Sequence, residues 1–370
     1  MTAQQDLSSK AGASGRTVIS VDAMGGDSGP ATVVSGIAHS AKKNPNIGFI
    51  LHGPKGELKK LVARRKHLIG RCEIRDAPDV VSMEDKPSTV MRQGKSTSMW
   101  SALESVRNGE ATVCVSCGNT GALMMMSVLR LRRLKGIYRP AIAVMWPSRN
   151  PQGFNVLLDA GADIRADAKD LMQYALMGTS YARNGFGLET PRIGLLNVGT
   201  EEHKGRAELK EAHELISANA KHAGFDFVGF VEGRDLPGSI CDVIVTDGFT
   251  GNVALKTGEG TATLIAEQLR EAFKFTPLSR LASVLAYTSL QRLKKRIDPR
   301  RVNGGVFLGL NGTVVKSHGA ADSTGVSAAV KLAFQLAETG FSEKLAARVA
   351  SASLPAQDGA DETKSNGDPE

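Results

Sequence analysis

The sequence predicts an α/β fold, a three-layer α/β/α sandwich around a mostly parallel sheet. Short β-branched runs alternate with longer stretches of helical apolar spacing, and each run is followed within a few residues by Gly, Pro, Asn or Asp. This repetition of strand, turn and helix is typical of a parallel sheet with helices on both faces. The predicted strands are Thr17–Asp22, Ile47–His52, Thr112–Ser116, Ala141–Met145, Val156–Asp159, Ile193–Val198, Phe227–Val231 and Asp242–Thr246.

Length and composition fit one large folded domain or two smaller ones. The chain has 370 residues, 41% of them hydrophobic, and can therefore bury a sizeable core. Residues 1–15 and 352–370 are rich in Ser, Ala, Gly, Asp and Glu without apolar periodicity, so we expect disordered ends around a folded domain at 16–351. The longest apolar runs are far shorter than the roughly 20 residues that span a bilayer. A polar N-terminus and only four cysteines predict a cytoplasmic protein.

The net charge of +8 is concentrated in two stretches of the chain. Residues 130–139 hold five basic residues and no acid, and residues 280–301 hold seven basic residues with one acid. Acidic proteins, anionic lipid head groups and nucleic acids are all candidate partners for such stretches. Aromatic residues make up only 5% of the chain and no nucleic-acid-binding motif is visible, which argues against nucleic acid.

Four strand-to-helix turns combine glycine with short polar side chains. In a parallel sheet, ligands bind where the strands end, and glycine lets backbone N–H groups and a helix N-terminus face an anion. We therefore predict that the four turns share one crevice for a phosphate or an oxyanion, although each turn alone could simply be a tight connection. The turns are Asp22–Asp27, Cys117–Gly121, Asn197–Glu202 and Asp247–Asn252.

Other common site motifs are missing or weak. The first turn has no GxGxxG spacing, and the chain has no GxxxxGK[ST] or GxSxG sequence, so nucleotide binding and a serine nucleophile are unsupported. Cys114 and Cys117 have CxxC spacing, but residues three apart on a strand point to opposite faces and no second pair follows. The sequence thus indicates no metal and no cofactor.

Single residues near the predicted strand ends are candidates for chemistry. His318 follows the apolar run 313–315 and could act as an acid or base near neutral pH, or simply be hydrogen-bonded in a turn. Lys204 could neutralise a phosphate or thioester oxyanion, or be a solvated loop lysine. Lys256 is a weaker candidate because helix surfaces commonly bear lysines.

A basic amphipathic segment is predicted at about residues 274–298. Leu278, Leu281 and Leu285 recur near helical spacing, and Arg292, Lys294 and Lys295 follow. Such a segment can lie in a membrane interface or dock an acidic partner, and the alternative is a helix that faces the core of a bundle or dimer.

Taken together, these segments resemble the bacterial phosphate acyltransferases of phospholipid synthesis, the PlsX family. Several blocks in the right order are far more specific than any one glycine turn. The matching blocks are VDAMGGD at 21–27, GNTGALM at 118–124, LNVGTEEHKG at 196–205, DVIVTDGFTGNVALKTGEG at 242–260 and NGGVFLGLNGTVVKSHGAAD at 303–322.

The resemblance implies a catalytic domain that transfers a fatty acyl group from acyl carrier protein to inorganic phosphate. It also implies a fold similar to phosphotransacetylases and isocitrate-dehydrogenase-like enzymes, a homodimer, and peripheral attachment to the inner face of the cell membrane. Two alternatives stay open: a phosphotransacetylase that uses acyl-coenzyme A, and a non-catalytic membrane-surface scaffold for the carrier protein.

On this reading, residue roles are assigned as hypotheses. Phosphate would lie at Gly25, Gly26, Asn119 and Thr120 with Lys204 as its charge partner, while Asn252 and His318 would serve the carbonyl or the departing sulfur. The basic amphipathic segment would contact the carrier, the acyl chain or the bilayer. Further substrate-site candidates are Asp22, Asp27, Asn197, Asp247, Gly248, Lys256 and Asn303.

Overall fold

One eleven-stranded sheet organises the part of the chain that the structure describes. The structure is a computed structural model and describes residues 16–85, 90, 94–297 and 304–352, without the side chains of residues 294–297 and 350–352. The strand order is β3-β2-β1-β4-β11-β10-β5-β6-β9-β7-β8. The strands are β1 Thr17–Asp22, β2 Ile47–Gly53, β3 Cys72–Asp76, β4 Val113–Ser116, β5 Ala141–Pro147, β6 Phe154–Leu158, β7 Arg192–Leu196, β8 Asp226–Val231, β9 Val243–Val245, β10 Gly305–Leu308 and β11 Thr313–Lys316.

Helices cover both faces of this sheet. Alternation along β4 shows the two layers, because Val113 and Val115 join one buried cluster and Cys114 joins the other. The predicted three-layer α/β/α sandwich is therefore confirmed. The helices are α1 Gly29–Lys43, α2 Lys55–Ala63, α3 Ser98–Arg107, α4 Thr120–Leu131, α5 Ala168–Phe186, α6 Ala207–Ala223, α7 Gly248–Lys274, α8 Pro277–Leu285, α9 Tyr287–Ile297, α10 Ser323–Glu338 and α11 Phe341–Ala352.

The two halves of the sheet run in opposite directions. Strands β3, β2, β1, β4 and β11 are mutually parallel, and β6, β9, β7 and β8 are mutually parallel. Three antiparallel pairings, β11 with β10, β10 with β5 and β5 with β6, reverse the direction between these halves. We call the end of the sheet where β1, β4 and β11 finish the upper edge, and the end where β6, β7 and β9 finish the lower edge.

The long helix α7 connects the two edges. Its cap residue Asp247 follows β9 at the lower edge, and the helix then returns along the sheet face. A Cβ atom on Gly258 would lie 2.5 Å from the Trp146 ring, which belongs to the upper part of β5. At about 1.5 Å per residue, α7 thus brings Lys256 and Glu259 to the upper edge.

The predicted amphipathic segment forms two short helices after α7. Helix α8 has no buried residue, so it does not face the core of this chain, and α9 follows after Ala286. Among the described residues, no helix is long and apolar enough to cross a membrane. The predicted disordered ends lie outside the described residues, apart from Ala352, which ends α11.

Candidate active site

Three glycine-containing turns meet at the upper edge, after β1, β4 and β11. The Asp27 amide donates a 2.9 Å hydrogen bond to the Gly319 carbonyl, which joins the first turn to the third. Gly26 has a φ of +98°, and a Cβ atom there would lie 2.9 Å from both Gly319 O and Cys117 Cβ. Glycine is therefore required at this position by backbone conformation and by close packing.

A buried carboxylate, Asp22, organises the first turn from below. It accepts 2.6 Å hydrogen bonds from the Ser98 and Ser116 hydroxyls, and longer ones from the amides of Met24 and Gly25. Burial raises the pKa of Asp22, and these donors oppose that rise. The Gly25 amide, predicted to bind phosphate, thus donates to Asp22 instead. Asp22 shapes the turn from a buried position.

The second turn starts helix α4. Asn119 caps the helix, since its Oδ1 accepts from the Ala122 amide at 3.1 Å and its Nδ2 donates to the Met83 carbonyl at 2.9 Å. The Asn119 side chain is therefore engaged by the protein. The first amides of the helix, beginning at Thr120, and the positive end of its dipole remain suited to an anion.

A buried lysine, Lys316, lies where the second and third turns meet; it is not among the site residues predicted from the sequence. Its Nζ donates to the Ser317 carbonyl and, at 3.5 Å, to the Cys117 carbonyl. Burial is the largest cause that lowers the pKa of Lys316, to about 8. The available sign was a lysine that directly ends an apolar strand at a glycine-rich turn.

His318 is held as a neutral hydrogen-bond donor. Its Nδ1 accepts from the Ala320 amide at 3.1 Å, so the proton of the neutral ring is on Nε2. Burial is the main cause that lowers the pKa of His318, which favours this neutral form at pH 7. Nε2 lies 4.0 Å from Glu259 Oε2, and Glu259 is bound at 2.8 Å by Lys256. His318, Lys256 and Glu259 thus form a polar group between the third turn and α7.

An apolar groove of about 840 Å³ opens beside this group. His318 and Ala320 line one end of it, and α7, α8 and α9 provide the walls. A groove of this size and character is suited to an elongated apolar ligand. Apolar side chains of its walls include Ala266, Leu269, Phe273, Tyr287 and Leu290.

The other two predicted turns lie at the lower edge, so the prediction of one crevice for all four turns is wrong. Their strands, β7 and β9, run opposite to β1 and β4. Lys204 pairs at 2.7 Å with Glu201, and Asn197 holds its own loop by donating to the Lys204 carbonyl at 3.2 Å. The structure does not bring Lys204 or Asn197 to the upper edge.

Carboxylates already occupy the helix start at the lower edge. Asp247 caps α7 by accepting from the Thr250 amide at 2.8 Å and pairs with Arg206, while Gly248 N donates to Asp163 at 2.8 Å. Nearby Asp159 is fully buried, and burial raises its pKa to about 6. Negative charge here disfavours a phosphate, in contrast to the predicted role of Asp247 and Gly248.

The remaining predicted residues lie at different places in the structure, on α7, on α8 and α9, or outside the described part. Asn252 lies on α7 one turn before Lys256, and its Nδ2 donates to the Ala160 carbonyl at 3.3 Å, so its catalytic role stays a prediction. Asn303 lies outside the described residues. Leu278, Leu281 and Leu285 are 75%, 58% and 79% exposed and present an apolar face to solvent. Arg292 is exposed, and the side chains of Lys294 and Lys295 lie outside the described part.

The fold is similar to the α/β architecture of solved phosphotransacetylases. A phosphotransacetylase from Streptococcus pyogenes matches with a TM-score of 0.58 at 16% identity, covering 87% of this chain and 94% of that one. A 4-hydroxythreonine-4-phosphate dehydrogenase from Klebsiella pneumoniae matches with a TM-score of 0.52 at 10% identity, covering 87% and 99%. At these identities the likeness shows the fold alone.

Sequence relatives identify the family. The sequence profile of the family described as "Fatty acid synthesis protein" matches residues 17–344. A protein of Ruegeria sp. named phosphate acyltransferase is 77% identical over 345 residues, which cover 93% of this chain and 92% of the relative. Another of that name, from Ruegeria pomeroyi, is 74% identical over 97% of this chain and 96% of the relative. The chain belongs to this fatty acid synthesis family.

Proposed function

We propose that the protein is a phosphate acyltransferase that moves a fatty acyl group from acyl carrier protein to inorganic phosphate, giving acyl phosphate for phospholipid synthesis. Family membership and the name of the close relatives support this reaction. The main structural support is the junction at the upper edge, where turns suited to an anion adjoin an apolar groove. Phosphate and a fatty acyl thioester need these two environments side by side.

The reaction needs chiefly positioning and stabilisation of an oxyanion. An oxygen of phosphate attacks the thioester carbonyl carbon; a C–O bond forms, the C–S bond breaks and the carrier thiolate leaves. Phosphate is charged at neutral pH and a thiolate leaves readily, so holding the two substrates in contact accounts for much of the rate. We assign phosphate to the backbone at Gly26 and to the start of α4 at Thr120.

His318 is assigned to the carbonyl oxygen. Its Nε2–H is the ring donor that is available to a substrate, because Nδ1 already accepts a hydrogen bond from the Ala320 amide. A neutral N–H donor matches an oxygen that becomes negative only as the tetrahedral intermediate forms. Lys256, near the same ring, adds positive potential at this side, and Glu259 holds it there.

The exposed apolar face of α8 is assigned to the membrane surface. Leu278, Leu281 and Leu285 repeat at helical spacing, and a basic segment follows in α9. A peripheral interfacial helix inserts apolar side chains at the head-group boundary and places basic residues beside anionic lipid. The same basic residues suit the acidic carrier protein, which would bring the thioester to the mouth of the groove.

Another apolar stripe supports a homodimer. Phe249, Val253 and Leu264 are each more than half exposed and share one face of α7. The very exposed Ile164 follows Asp163, which binds the start of this helix. An exposed apolar surface of this kind is typical of a subunit interface.

One assay tests the reaction directly. Purified protein is incubated with palmitoyl-carrier protein and phosphate, and acyl phosphate is trapped as the hydroxamate while free carrier thiol is counted. We expect equal amounts of both products. Activity with palmitoyl-coenzyme A but none with the carrier would favour the phosphotransacetylase alternative. Binding of carrier and vesicles without any acyl phosphate would refute the enzyme and favour the scaffold.

A further inference from the structure

Lys316 places a buried ammonium group beneath the turns of the upper edge. The residue is only 9% exposed, and its Nζ contacts two neutral acceptors, the carbonyls of Ser317 and Cys117. Within the described part of the chain, no carboxylate lies within ion-pair distance of it. Buried charges in proteins are ordinarily paired, so this ammonium is out of the ordinary.

The closest acidic groups are poorly suited to neutralise it. Asp22 already accepts hydrogen bonds from two serine hydroxyls and two amides. Asp27 is exposed at the surface of the first turn. The positive end of α4 and Lys256 lie near the same turns and add to the positive potential there.

We propose that the Lys316 ammonium is the charge that holds inorganic phosphate at the upper edge, with the phosphate as its counter-ion. This inference rests on the proposed function and assigns its phosphate site to a residue that ends β11. An ammonium group that is already charged at neutral pH matches phosphate, which is charged before the reaction starts. A neutral donor such as His318 matches the transient oxyanion. Lys316 thus binds phosphate, and His318 binds the carbonyl oxygen of the thioester.

A dependence on pH follows from the surroundings of the amine. Burial is the largest cause that lowers the pKa of Lys316, and the charge of Lys256 lowers it further. Cys117, Asp22 and Asp27 raise this pKa, and its resulting value is about 8. The charges of Lys256 and Lys316 in turn lower the pKa of His318, after burial. Above about pH 8 the amine of the free enzyme is neutral, so phosphate binding weakens there.

The test compares Lys316→Met and Lys316→Arg with Lys331→Met, which removes an exposed lysine on α10. We expect Lys316→Met to raise the KM for phosphate at least tenfold and to leave the KM for acyl carrier protein within threefold. Lys316→Arg should recover most of the affinity, and Lys331→Met should resemble wild type. A folded Lys316→Met protein with the wild-type KM for phosphate would overturn the proposal.

Two further measurements test phosphate binding by Lys316 independently of whether the variant folds and of whether the enzyme turns over. In wild type the KM for phosphate should rise above pH 8, and Lys316→Arg should lack this rise; a flat wild-type profile contradicts the proposal even if Lys316→Met does not fold. Phosphate should also raise the melting temperature of wild type but not of Lys316→Met. This stabilisation can be present when no acyl transfer is found, in which case the proposed function alone fails.

Discussion

Replacement of His318 by alanine gives the sharpest prediction for the chemistry at the upper edge. The change removes the Nε2–H donor and the acceptor of the Ala320 amide. Loss of one oxyanion donor typically lowers kcat by about 100- to 1000-fold, or roughly 3 to 4 kcal/mol of transition-state stabilisation. Because the bond strengthens only as the carbonyl oxygen becomes negative, we expect the KM values of both substrates to change less than threefold.

The assay is the initial rate of carrier-thiol release at saturating phosphate. His39→Ala, at an exposed position on α1, is the matched control and should retain wild-type rates. His318→Gln, which keeps an N–H donor of similar reach, should recover part of the loss. A His318→Ala enzyme with kcat within threefold of wild type would refute the assignment. A variant whose KM for phosphate alone rises would show that His318 binds phosphate instead.

Three other predictions concern the membrane, the dimer and stability. Leu281→Glu with Leu285→Glu should release the protein from anionic vesicles in flotation assays and leave activity on soluble carrier intact; persistent flotation would contradict the assignment of α8. Val253→Glu should convert a dimer to a monomer in analytical ultracentrifugation, since a charge cannot be buried cheaply in an apolar interface; an unchanged sedimentation coefficient would exclude this face. Asp159 has a folded-state pKa of about 6 against 3.8 unfolded, so the folded state binds the extra proton. The free energy of unfolding should therefore fall by about 2 kcal/mol as the pH rises from about 4 to about 6. In urea titrations Asp159→Asn should flatten the dependence of the unfolding free energy on pH. An unaltered slope would count against a raised pKa at Asp159.

The layers of the fold were predictable from local patterns, but the direction of the strands was not recognised. Short apolar runs followed by polar turns correctly indicated strands with helices on both faces. One of the three antiparallel pairings in the middle of the sheet had a visible sign, the Asn311-Gly312 dipeptide between the apolar runs of β10 and β11. Asn-Gly between two such runs is a strong hairpin signal, and a hairpin makes its strands antiparallel. All three antiparallel pairings together put Lys204 and Asp247 at the edge opposite to the predicted one.

Burial explains the other differences at the site. A lysine at a strand end usually extends its ammonium into water, and only tertiary packing shows that Lys316 does not. The turn at Asp22–Asp27 was correctly placed at a strand end, yet Asp22 is also held by the hydroxyls of Ser98 and Ser116, which are distant in sequence. Such long-range contacts leave no pattern within the turn itself.

The turns at the upper and lower edges have similar sequences, and the charge at the helix start separates their roles. Helix α4 is capped by the neutral side chain of Asn119, so its positive N-terminal potential remains available to an anion. Helix α7 is capped by Asp247 and receives Asp163 at its first amide, so protein carboxylates already neutralise its N-terminus. The lower edge therefore anchors α7, and the anchored helix places Lys256 beside His318. By this argument, a glycine-rich turn whose helix is capped by Asn is a better candidate for a phosphate site than one whose helix is capped by Asp.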